Sequence, residues 1–196
     1  MNFQSIKDWT IGNANLANVI TLFGIKLCFT LLGVIIFFRE KTGIIIALSA
    51  VILLTDYLDG VVARYFNSVT TFGAAIDRLR DKFFQLTMFS FFLLDPRVDP
   101  LLKGVIYPLI IIELLLLAVL FLGAKKNANV SAGIWGKAKM FVVSIGILAC
   151  SGVIIAKDRG LAVPSYVVQI LFIILLVSLY LAIMSFKKHV KKYRQS

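Results

Sequence analysis

Soft metal ligands and disulfide partners are nearly missing from this chain, which has two cysteines and one histidine in 196 residues. Cys28 and Cys150 fall in apolar runs with no CxxC or metal-ligand spacing. That excludes a disulfide framework and a zinc site, and both thiols read as small buried hydrophobes. His189 lies in a basic stretch and reads as a solvated side chain. Charge is also scarce: Asp, Glu, Lys and Arg make up 16% of the chain, against 60% hydrophobic residues. With a mean hydropathy of +0.93, an ordinary soluble domain is excluded. Internal repeats and low-complexity tracts are missing too. The opening MNFQSIKDWTIGNANLANVI has neither the basic start nor the small-residue cleavage site of a secretory signal. The first apolar segment is therefore expected to stay in the membrane.

What the chain has in abundance is long apolar runs. Six are expected as helices, over about 18–38, 43–64, 73–94, 104–122, 137–156 and 163–186. Each approaches the ~20 residues that cross ~30 Å of hydrocarbon. Helices are required because lipid offers backbone amides no partner. Asp95-Pro96 and Asp99-Pro100 mark one short turn, and Gly160 with Pro164 marks another. The expected fold is all-α, a polytopic membrane protein built as one six-helix domain over residues 1–196. Within it, residues 1–14 are expected as an interfacial segment and 187–196 as a basic tail.

Basic residues orient the bundle. The side with both termini collects fourteen Lys and Arg, the other side six, and Lys26 lies within the first segment. Both termini are thus expected in the cytoplasm, and the net charge of +11 reads as a collar facing anionic head groups. Nucleic acid is not expected as a partner, because these bases flank membrane segments. The expected assembly is a homodimer.

Ten acidic residues occur in all, and four of them fall within DYLDGVVARYFNSVTTFGAAIDRLRDK. Asp56 and Asp59 are spaced i, i+3 at the end of segment two. Asp77 and Asp81 are spaced i, i+4 at the start of segment three. Each pair shares a helix face, and a short turn makes the two segments antiparallel neighbours. Four converging carboxylates cannot all stay ionised without positive charge. Oxygen ligands with no His or Cys nearby favour Mg²⁺, Mn²⁺ or Ca²⁺ over zinc. The plainer reading is ion pairing with Arg64, Arg78, Arg80 and Lys82. Helix-dipole complementation accounts for Asp77 and Asp81 but not for Asp56 and Asp59, which lie near a helix C-terminus. Acids within membrane segments are functional candidates by default.

The eight positions Asp56-x2-Asp59-Gly60-x2-Ala63-Arg64-x8-Gly73-x3-Asp77-x3-Asp81 resemble, without a gap, the motif of the CDP-alcohol phosphatidyltransferases. The six-segment layout fits that family over nearly the whole chain. The resemblance implies that Asp56, Asp59 and Asp77 bind two divalent ions, Mg²⁺ or Mn²⁺. It implies that Asp81 both touches metal and acts as general base. Gly60, Ala63, Arg64, Thr70 and Gly73 would meet the CDP moiety of CDP-diacylglycerol, with Asn18 and Thr21 also on the CDP-lipid. The implied reaction is attack of an alcohol hydroxyl on the β-phosphorus of CDP-diacylglycerol, with release of CMP. An active site at the cytoplasmic membrane edge follows, because the reacting diphosphate of a lipid lies there.

Asn18-x2-Thr21, Gly136-Lys137-x-Lys139 and Asp81-Lys82 resemble the phosphatidylglycerophosphate synthase branch, which implies glycerol-3-phosphate as acceptor. Serine, inositol phosphate and phosphatidylglycerol are the alternatives. The chain departs from that branch in two places. Gly24 stands where an Arg is common, and Asp77-Arg78-Leu79-Arg80-Asp81-Lys82 replaces the usual Asp-Pro-Leu-Ala-Asp-Lys. Arg78, Arg80, Lys137 and Lys139 are the candidate acceptor-binding residues. Lys26 is expected to pair with Glu113, to snorkel, or to line the metal cavity, and Glu113 to be an interhelical or dimer residue. An ion carrier or an inactive scaffold is the competing class. A carrier more usually places its acids at the midplane, often on broken helices.

Overall fold

The computed structural model describes residues 16–65, 71–125 and 134–195. These form six helices: α1 (Leu16–Phe37), α2 (Thr42–Tyr65), α3 (Thr71–Leu94), α4 (Pro100–Lys125), α5 (Ile134–Asp158) and α6 (Ser165–Gln195). Every expected segment coincides with a helix, and no strand occurs among the described residues. The expected interfacial segment lies outside them. The basic tail largely continues α6, and His189 is half-buried there, with Nδ1 2.8 Å from the Ser185 carbonyl oxygen.

The turns are built from the residues that mark them. Asp99 caps α4, its Oδ1 accepting the Leu101 amide at 2.9 Å, and Pro100 takes the first helical position. In the same turn Arg97 pairs with Asp95 and with Asp158, and Lys157 Nζ donates to the Arg97 carbonyl at 2.5 Å. Hydrogen bonding to Asp95, above all, holds the Arg97 guanidinium protonated beyond an arginine's ordinary range. At the end of α5, Gly160 adopts φ +70°, a left-handed conformation that glycine takes without steric cost. The Leu161 amide then reaches back to Ala156, and the Gly160 amide to Lys157. This closes the helix in a Schellman cap.

The chain divides into two units, Met1–Asp81 and Lys82–Ser196, with the boundary inside α3. In the first unit α1 packs on α2. Cys28, Leu31 and Ile35 form one buried stripe, and Ile45, Ser49 and Ile52 form the other. Both follow helical spacing. Ser49 satisfies its buried hydroxyl on the Ile45 carbonyl of its own helix. In the second unit α6 packs on both α4 and α5. Its buried stripe is Leu171, Leu175, Ser178, Ala182 and Ser185. The three small residues permit close helix approach, as in membrane interiors.

Away from these stripes the helices present large apolar side chains outward, among them Tyr107, Ile111, Phe141 and Ile173. Three helical stretches are long and apolar enough to cross a bilayer: Pro100–Leu122, Trp135–Asp158 and Ser165–Lys191. This marks a membrane protein. The apolar stretches described in α1 and α2 are shorter, Leu22–Phe37 and Thr42–Leu58. The early turns of α3 are charged, from Asp77 to Lys82.

Candidate active site

Within the first unit, the last part of α2 supplies Asp56 and the second and third turns of α3 supply Asp77 and Asp81. One carboxylate oxygen from each of the three lies within 4.8 Å of the others. The helical spacing of Asp77 and Asp81 puts them on one face, and Asp56 reaches the same place across 21 residues of sequence. The side chains of Asp56, Asp77 and Asp81 are 36%, 41% and 17% exposed. The group is therefore open enough to exchange with solvent species.

The cation held among them is Arg80. Its Nη2 bonds Asp56 Oδ1 and Asp77 Oδ1, and lies 3.7 Å from Asp81 Oδ1. The arginine is buried, at 2% exposure. Its stem lies against Gly24 of α1, where an added Cβ would stand 2.9 Å from Arg80 Cδ. Gly24 and Arg80, two positions at which the chain departs from the pattern it resembles, are thus in contact.

A second charged cluster lies inside the other unit. Glu113 of α4 is fully buried and gives Oε2 to Lys82 of α3 and Oε1 to Lys139 of α5, the latter at 2.7 Å. Gln85, one turn beyond Lys82, completes the group: with its amide turned over, its nitrogen is 3.2 Å from both Glu113 oxygens. The orientation with the amide carbonyl 3.4 Å from Lys139 leaves the carboxylate less well served.

The structure places several of the expected residues. Glu113 is an interhelical residue, as expected, but its partners are Lys82 and Lys139; Lys26 is exposed. Arg80 and Lys139, candidate phosphate ligands, are engaged by carboxylates of the chain itself. Arg78 is half-buried and Lys137 is exposed. Asp59, Gly60, Ala63, Arg64, Gly73, Asn18 and Thr21 lie on helices, but their side chains are outside the described residues, as is Thr70 altogether. Gln85 was not foreseen. The signal was its place one turn from Lys82 in the largely apolar second half of α3.

A helical membrane protein that gathers carboxylates about a cation suits the binding of hard, positively charged ions. The family model for the CDP-alcohol phosphatidyltransferase matches residues 14–186. The chain belongs to that family, whose members are phosphotransferases for substituted phosphate groups and depend on divalent metal. No curated protein and no solved structure matches the chain. The three carboxylates fit a divalent ion: all donors are hard oxygens, and they already converge on one positive group.

Proposed function

We propose that the protein transfers the phosphatidyl group of CDP-diacylglycerol to glycerol-3-phosphate, releasing CMP and forming phosphatidylglycerophosphate. The observation that carries this reading is the convergence of Asp56, Asp77 and Asp81, three residues of the family motif, from two helices. Asp59 joins them as a ligand on the same helix as Asp56. Two ions, Mg²⁺ or Mn²⁺, would neutralise charge on the diphosphate when bound. Asp81, the least exposed of the three described acids, accepts the proton of the attacking hydroxyl. Gly60 and Gly73 let the nucleotide approach the backbone, with Ala63, Thr70, Asn18 and Thr21 along the CDP-lipid. Arg64 offers phosphate oxygens a planar fork.

The acceptor assignment rests on Asn18-x2-Thr21, Gly136-Lys137-x-Lys139 and Asp81-Lys82, with Arg78 and Lys137 as its phosphate ligands. Six spans, both termini and the acidic edge in the cytoplasm, and a homodimer complete the reading. Release of CMP from CDP-diacylglycerol, measured with glycerol-3-phosphate, serine, inositol, inositol phosphate and phosphatidylglycerol, is the test. Glycerol-3-phosphate is expected to be fastest; faster release with serine or inositol overturns the acceptor but not the family. For orientation, a single-cysteine probe near Lys191 should resist an impermeant thiol reagent in intact cells, and labelling from outside would reverse the topology.

A further inference from the structure

Among the described residues, the Arg80 guanidinium bonds Asp56 and Asp77 and lies 3.7 Å from Asp81. The guanidinium cannot deprotonate, so it is a permanent cation. It is also a seated one. Gly24 leaves α1 without a side chain where the Arg80 stem lies, and a methyl group there would meet both Cδ (2.9 Å) and Nη1 (3.0 Å). The side chain is 1% exposed, whereas the acids it serves are partly open. Arg80 is thus a buried cation reaching carboxylates that are themselves partly exposed.

We propose that Arg80 is a resident competitor for the divalent ion, occupying Asp56 and Asp77 and so setting the metal concentration at which the site loads. This rests on the reading of Asp56, Asp77 and Asp81 as metal ligands. Arg80 and an incoming ion repel each other and draw on the same two carboxylates, so loading must weaken or displace the Arg80 contacts. Gly24 belongs to the device, because it fixes where the guanidinium rests. A site tuned in this way loads only when divalent ion is plentiful, and without it keeps its acids partly neutralised.

Mn²⁺ titration of the purified full-length protein in lipid nanodiscs, followed by loss of the free-ion EPR signal without substrate, tests this. Arg80→Gln should bind Mn²⁺ about tenfold tighter or more, since a like charge within contact distance is removed. Gly24→Ala, which keeps the charge but displaces its stem, should shift affinity in the same direction by a smaller factor. Unchanged or weaker Mn²⁺ binding by folded Arg80→Gln would show that the arginine orients the ligands rather than competing. Should Arg80→Gln fail to fold, unchanged or weaker binding by Gly24→Ala overturns the proposal equally. The metal reading itself fails differently: wild-type protein then takes up no Mn²⁺ and still releases CMP in EDTA.

Discussion

The two charged clusters are near mirror images in composition. One sets three carboxylates around one guanidinium; the other sets two ammonium groups around one carboxylate. Exposure separates them. Asp56 and Asp77 are more than a third open, whereas Glu113, Lys139 and Lys82 are 0%, 3% and 13% exposed in their side chains. An open cluster can exchange its counter-ion for a substrate or metal. A closed cluster linking three helices acts as a tie. On the proposed reading, the chemistry belongs to the first and the packing to the second.

The largest expected effect breaks the first cluster. Asp56→Asn or Asp77→Asn should abolish CMP release by removing charge that would hold the ions, and EDTA should do so by removing the ions themselves. Full turnover of a metal-stripped preparation in EDTA would remove metal from the mechanism. Asp81→Asn should lose about 10²–10⁴-fold in rate, the usual worth of a positioned base, and lose less in CDP-diacylglycerol binding. A near wild-type rate at neutral pH would take Asp81 out of the base role.

Breaking the second cluster should unfold rather than inactivate. Glu113→Ala leaves two buried ammonium groups facing each other, and loss of one partner from a buried pair costs about 3–5 kcal/mol. Replacing all three charges, as Glu113→Leu with Lys82→Met and Lys139→Met, should recover most of that stability, because no buried charge is left unpaired. Thermal unfolding in detergent reads both. If the triple variant is stable but releases no CMP, the cluster has a chemical role and the contrast between the regions fails.

The six helices were legible because each carries a long, largely apolar run, and turns marked by Asp-Pro and Gly160 delimit some of them. The motif spacing likewise foretold that Asp56 would meet Asp77 and Asp81. Which base meets which acid was not legible. Asp81 and Lys82 are adjacent in sequence yet serve different clusters, because consecutive residues point about 100° apart around a helix. Sequence shows the charge of Lys139 but neither its burial nor its pairing with Glu113. Arg80 was among the expected ion-pair partners of these acids, but its seat on Gly24 depends on a helix remote in sequence.

The smallest expected effect sharpens the contrast within two residues of one helix. Lys137 and Lys139 both stand near the start of α5 in Gly136-Lys137-x-Lys139, but the first is exposed and the second is held by Glu113. If Lys137 meets an acceptor phosphate, Lys137→Ala removes one charge-assisted contact, worth about 1.5–3 kcal/mol. The KM for glycerol-3-phosphate should then rise roughly tenfold or more. The KM for CDP-diacylglycerol and the unfolding temperature should barely move. Lys139→Ala should show the reverse, a drop in unfolding temperature, because it strips one of Glu113's two lysines. Steady-state kinetics with both substrates varied separates the cases. An unchanged acceptor KM in Lys137→Ala would leave the lysine as an interfacial anchor and remove one of the two bases assigned to the acceptor.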